Sequence, residues 1–246
     1  IYPNALSVSA YGGEDAETPE YGKVFISIKA ASGSTLTTAT KNDIVTQLKK
    51  YNVASVTPVI VDPETTSLVL TTNAKYDENA TTKTRDTIKT DITDALTVYN
   101  TNNLQKFDGI FRYSKVIKAI DDADNSILSN ITTLKMRKNF TPTLGSATTY
   151  NIYFRNAFYN PHSGHDATAG GILISTGFKI TGNTNEMFLN DDGEGNVRMY
   201  YLSGTTKVYQ NNTQGTIDYA NGTVTLTSLN IASISNIRGS TSSVIE

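Results

Sequence analysis

The chain has no cysteine, no tryptophan and only two histidines. A disulfide framework, a thiolate zinc site and a thiol nucleophile are therefore all excluded. Charged residues make up 18% of the 246 positions, below the usual quarter of a domain, and the formal net charge is −2. There is no long basic run to give the clustered Lys and Arg footprint of nucleic-acid binding, so no nucleic-acid partner is expected. The longest apolar runs are only a few residues, far too short for a membrane span, and the first residues lack the basic and apolar regions of a signal peptide. The chain begins at Ile1 rather than Met, which reads as a piece of a longer protein whose N-terminal part is missing.

What is present is Thr, Ser and Asn in abundance, a balance that suits β-rich virion or extracellular surfaces. A chain of this size should bury roughly 70% of its unfolded surface, enough for one large core or two modest ones without a covalent staple. The densest ordered-looking block is 107–130. There Ser114 has the chemistry of an N-cap, and Val116, Ile117 and Ile120 share one helical face. Asp121, Asp122 and Asp124 crowd the end of that helix, where the dipole disfavours carboxylates. They read as the turn into the next strand, with a basic partner or a cation as the sharper alternative.

In chain order, residues 1–20 are polar, with Gly12-Gly13, four acids between 14 and 20, and Pro19, and read as an extended arm or linker. The Gly pair is not a phosphate loop, because no Gly-Lys-Ser/Thr follows and the neighbouring acids repel phosphate. Val24, Ile26 and Ile28 alternate as a strand, and Ala30 to Leu36 is a loop. Thr40-Lys-Asn-Asp43 has the spacing of a capping box for a helix with Ile44, Val45, Leu48 and Tyr51 inward. Val56 to Val61 predicts a strand limited by Pro58 and Pro63, and Leu68, Leu70, Ala74 and Tyr76 predict another. Ile88, Ile92, Leu96 and Tyr99 define a longer helix with its charges off that face, and Thr132, Leu134 and Met136 a closing strand. After Phe140 only short strand-like runs remain between Gly, Asn and Asp turns, with Asn221-Gly222 expected to form a type I′ hairpin turn.

The expected fold class is α+β: a small mixed α/β sheet domain with two or three helices over 21–140, then an all-β sandwich or barrel-like domain over 141–246. The boundary is placed near Thr141-Pro142.

Candidate chemistry is sparse. His162, His165 and Asp166 lie in a Pro/Gly/Ser loop and offer a zinc reading without a fourth ligand, so an exposed loop is preferred. Asn190-Asp-Asp-Gly-Glu-Gly-Asn196 places Asn190, Asp192 and Glu194 at early calcium-loop positions. Tyr201 stands where the bidentate acid belongs, so a hairpin loop is the better reading. No Gly-x-Ser-x-Gly elbow is present. Asp121 and Asp122 are adjacent on a helix end and point apart, which is poor geometry for a glycosidase pair. Of the fourteen tyrosines, Tyr99, Tyr150 and Tyr219 sit at core-like phases. No catalytic, cofactor or metal residue is assigned, and an enzyme is not expected.

Phe111-Arg-Tyr-Ser-Lys115, Ala119-Ile-Asp-Asp-Ala-Asp124, Ser126-Ile-Leu-Ser-Asn130 and Met136-Arg-Lys138 occur in the order found in the baseplate-J-like wedge proteins of contractile phage tails. Within that group the chain resembles the C-terminal part of the T4-type wedge subunit. Gly12 to Pro19, Val56 to Pro63 and Gly215 to Tyr219 extend the resemblance over most of the chain. It implies a structural virion protein of the tail baseplate, assembled in the host cytoplasm. Such a protein joins neighbouring wedges into a ring around the central hub and rearranges when the tail contracts. Its implied partners are other copies of itself, as a homodimer here, and other wedge proteins. The matched motifs assign Phe111 and Tyr113 to packing, Ser114 to the cap and Asp121 and Asp122 to the turn, leaving Arg112 and Lys115 as candidate partner contacts. A Thr/Asn-rich surface adhesin or carbohydrate-binding module is the alternative, which the α/β first half disfavours.

Overall fold

The computed structural model describes residues 2–16, 19–31, 35–51 and 56–246. Glu17 and Thr18 of the Gly12 to Pro19 motif, and positions 32–34 of the loop after Ala30, lie outside them. Two compact units divide the chain: Ile1–Thr65 with Leu70–Leu134, and Thr66–Val69 with Lys135–Glu246.

In the first unit, β1 (Ala5–Gly12) pairs antiparallel with β2 (Lys23–Ala30), and β2 pairs parallel with β3 (Thr57–Val61). Residues 5–12 of the expected arm are therefore a sheet strand. The central strand β2 contributes Ile28 and Ala30 to a small core with Leu36 and with Ile44 of α1 (Thr38–Leu48), and Ile26, Leu48 and Ile60 pack around it. Its opposite face carries Phe25, which stacks on Tyr11 with ring centroids 5.4 Å apart. At the end of β1, Gly13 is buried and the amide of Glu20 donates to its carbonyl at 2.8 Å, closing the acidic loop on itself. A side chain at Gly13 would collide with the Glu20 carbonyl.

The helix α1 starts earlier than the capping-box spacing implies. Thr37 is the N-cap, and its Oγ1 accepts from the amide of Thr40 at 3.2 Å. Tyr51, expected inward, is 80% exposed because the chain tightens into a 3₁₀ turn after Leu48 and the α periodicity is lost.

Strands β4 (Ser67–Tyr76) and β5 (Ile127–Arg137) form a separate two-stranded ribbon, so the strands of the first half fall into two small sheets. Between them come α2 (Arg85–Asn103) and α3 (Tyr113–Asp121), which pack on each other. Thr84 caps α2, its Oγ1 accepting from the amide of Thr87. The N-cap of α3 is Arg112, not Ser114, and no side chain caps it. Instead the amide of Arg112 donates to the Tyr99 hydroxyl of α2 at 3.2 Å, so a tertiary contact fixes where the helix begins. Val116 and Ile120 are buried and Ile117 is half-buried, as the apolar spacing requires.

The second unit is a small barrel. Strands β7 (Phe178–Ile180), β8 (Met187–Asp191), β9 (Asn196–Ser203), β10 (Thr206–Asp218) and β11 (Thr223–Ile234) run in antiparallel neighbours, and β10 pairs back onto β11 to close the ring. Strand β6 (Ala147–Tyr153) adds outside β11. Closure removes a free edge, the usual liability of a small sheet. Phe178, Met187, Val197, Leu226, Leu229, Ile231 and Ile245 fill the core.

Two glycines make the closure possible. Gly215 lies where β10 and β11 approach so closely that a Cβ would strike the Thr225 carbonyl. The turn between these strands differs from the expected two-residue I′ turn. Residues 219–222 form a four-residue loop in which only Gly222 has a positive φ, and Asp218 Oδ1 accepts from the amides of Ala220 and Asn221 at 3.0 Å. The Asp218 side chain supplies the turn's hydrogen bonds, so Asn221 need not enter the left-handed region.

Candidate interaction surface

The sequence-derived candidates resolve into turns and tethers. Asp121 accepts from Asn130 Nδ2 at 2.7 Å, Asp122 pairs with Lys118 one helical turn back at 2.7 Å, and Asp124 pairs with Lys83 at 2.7 Å. The acidic helix end therefore meets a base from its own chain, and the three carboxylates point to three different partners. Hydrogen bonding to Lys83, then to Ser126, holds the Asp124 carboxyl well below the usual range, and the same contact raises Lys83. Tyr113 is half exposed and its hydroxyl donates to the Thr132 carbonyl, tying α3 to the ribbon. Arg112, Ser114 and Lys115 are exposed.

In the barrel, the 190–196 segment is the β8–β9 hairpin. Asp192 accepts from the amides of Glu194 and Asn196 at 2.8 and 3.0 Å and from the Asn196 side chain at 2.7 Å. Burial acts to raise its pKa, but these hydrogen bonds prevail and lower it. Asp191 is fully buried, and its carboxylate accepts from Tyr219 Oη at 2.6 Å, from the Leu173 amide at 2.7 Å and from the Gly193 amide at 3.2 Å. Burial and the adjacent Asp191 push the Tyr219 hydroxyl up. Asp191 thus pins both the excursion before β7 and the hairpin to the barrel. Among the described residues no group of three His, Asp or Glu side chains is arranged to hold a metal ion.

An open cleft of about 430 Å³ lies beside Tyr153, Arg155, Asn156 and Asn221. The Arg155 guanidinium sits 4.9 Å from the Tyr153 ring centroid, so one ring face is already covered.

The remaining feature is β1. Among the described residues it pairs with β2 alone, leaving one side of its backbone unpaired at the edge of the sheet. Leu6 and Val8 project from it, 47% and 56% exposed, and β1 carries no charge. Natural sheet edges are ordinarily blunted by charge, proline or a covering element. Single exposed apolar side chains such as Ile131, Leu128 and Val98 are ordinary surface features. An uncharged strand edge that also leaves aliphatic side chains exposed is not. The alternation Leu6, Val8, Ala10 is visible in the sequence, but the glycines, acids and proline that follow it give 1–20 the pattern of an arm and hide the strand.

Residues 1–61 match the family described as baseplate structural protein gp6, C-terminal domain I, and residues 68–139 match gp6, C-terminal domain III. Together the two matches take in more than half of the chain and all but the first residue of β4 among β1 to β5, and the chain belongs to the gp6 family of phage baseplate structural proteins. It is 34% identical over 142 residues, 56% of its own length, to the baseplate wedge protein gp6 of Enterobacteria phage T4, and spans 21% of that relative.

Proposed function

We propose that the chain acts as a wedge component of a contractile-tail baseplate, binding a second copy of itself and neighbouring wedge proteins, with a structural rather than catalytic role. In the full baseplate it links adjacent wedges into a ring around the hub, and its compact units reorient as rigid bodies when the tail contracts. The family match supports the baseplate assignment. The observation that carries the self-association is the uncharged edge of β1, whose outer backbone pairs with no other strand among the described residues, a template for adding a strand from another chain. We read 21–140 as a mixed α/β domain, which with the strand β1 before it holds the family matches at 1–61 and 68–139, and 141–246 as a distinct all-β domain. A ring requires a second, different contact besides a two-fold one, so the chain alone is expected to stop at a dimer.

Adding the chain in excess to a baseplate assembly reaction of its own phage, followed by electron microscopy, tests the role. Open or incomplete rings are expected, since the added chain occupies one contact without supplying the other. Complete rings in normal yield would contradict the proposal.

A further inference from the structure

The loop between β6 and β7 holds His162 and His165 in a defined arrangement. Its backbone is fixed by bonds to the β8–β9 hairpin: the Gly164 amide and Asn160 Nδ2 both donate to the Gly193 carbonyl, at 3.1 and 3.2 Å. The His165 amide donates to the His162 carbonyl at 3.1 Å, and the His165 ring packs edge-on against Tyr159. The loop is thus preorganised by the barrel.

Each imidazole has one nitrogen turned toward an oxygen acceptor. His162 Nδ1 lies 3.0 Å from the Ser163 carbonyl, and His165 Nε2 lies 3.5 Å from Asp166 Oδ2. The Ser163 carbonyl can only accept, so it places the proton on His162 Nδ1 and leaves His162 Nε2 with its lone pair, while the Asp166 carboxylate lies near His165 Nε2. The two other nitrogens, His162 Nε2 and His165 Nδ1, face each other at 3.4 Å. The gap between these two nitrogens is bridged either by a shared proton or by a metal cation.

The dimensions distinguish a metal from a shared proton. A hydrogen bond between ring nitrogens is best near ~3.0 Å, and a linear one of the observed length would hold the ring centroids roughly 5.7 Å apart. The centroids are 5.1 Å apart with the rings at 86°. Two nitrogens bound at ~2.0–2.1 Å to one tetrahedral ion stand roughly 3.3–3.4 Å from each other, with centroids roughly 5.2 Å apart. Both observed distances fit that bent geometry.

We propose that His162 and His165 form a two-imidazole chelate for a borderline divalent transition metal, with Zn²⁺, Cu²⁺ and Ni²⁺ as the fitting ions. Ser163 and Asp166 orient the two rings from outside, the role that carbonyls and carboxylates take around metal-bound histidines. Water completes the coordination, since no third protein ligand converges among the described residues. Hard ions such as Ca²⁺ and Mg²⁺, which take oxygen ligands, are excluded.

Calorimetric titration of the untagged, chelator-treated chain with ZnCl₂ at pH 7.5 tests this. One-to-one binding is expected, weakened at least tenfold in His162→Ala and in His165→Ala and about tenfold in Asp166→Asn. Circular dichroism checks that these loop variants remain folded. With Cu²⁺, the electron paramagnetic resonance spectrum should show coupling to two imidazole nitrogens. Absence of binding heat, or a titration unchanged in the His162→Ala, His165→Ala double variant, would overturn the proposal.

Discussion

The ammonium of Lys83 lies 2.7 Å from Asp124 Oδ2, joining the residue just before the α2 N-cap to the turn after α3. The same ammonium reaches Asp91 Oδ2 at 2.8 Å. Asp124 also accepts from the amide and hydroxyl of Ser126 at 2.9 and 2.6 Å, so the acidic turn is fastened at both ends. One lysine therefore ties the start of α2 to the entry of β5.

This arrangement sets a pH dependence. The folded-state pKa of Asp124 is depressed, so its contribution is present above the unfolded value near ~4 and is lost as pH falls toward the folded value. Lys83 is raised, so its contribution is present below its unfolded value near ~10.4 and is lost only on the strongly alkaline side. Asp124→Asn should lower the melting temperature at pH 7, and the gap to the unsubstituted chain should begin to narrow as pH falls below about 4 and keep narrowing toward the strongly acid side. At 1 M salt the gap at pH 7 should shrink, since Lys83 is half exposed. Calorimetric melts across this grid check both signs.

The buried carboxylate of Asp191 makes a different demand. Tyr219→Phe removes one hydrogen bond to a charged group and should cost about 1.5–3 kcal/mol. Asp191→Ala strands the Leu173 and Gly193 amides and the Tyr219 hydroxyl together, and should cost more than Tyr219→Phe. Urea unfolding followed by tyrosine fluorescence, which no tryptophan obscures, measures the two.

On α3 and the adjoining ribbon, burial should separate two chemically identical residues. Ile120 is fully buried, and Ile120→Ala should cost about 2–5 kcal/mol. Ile131 is 73% exposed, and Ile131→Ala should stay within about 0.5 kcal/mol. Denaturant midpoints of the two variants provide the comparison.

Much of this was legible in the sequence where periodicity alone decides. The apolar spacing of Val116, Ile117 and Ile120 located α3, and the strand-like runs of the second half located most of the barrel strands. Features set by distant contacts were not legible. The start of α3 depends on the Tyr99 hydroxyl thirteen residues away, so the better capping chemistry of Ser114 did not decide it. The second half reads as short strand-like runs, yet β10 carries 206–218 as one long strand through irregular register around Asn211. A bulge leaves the strand continuous while breaking the alternation by which a strand is recognised. The acidic residues around 121–124 and 190–196 were seen as turn formers, but their partners, Lys83 and Tyr219, are fixed by folding and not by spacing.

The central claim is self-association through β1. Its most direct measurement is the solution mass by light scattering over a concentration series, for the chain and for Val8→Lys. Val8 is exposed, so the substitution should leave the fold intact while placing a charge on the free edge. The account expects a concentration-stable dimer for the chain and a monomer for Val8→Lys. A chain that is monomeric at tens of micromolar, or a dimer untouched by Val8→Lys, would contradict it.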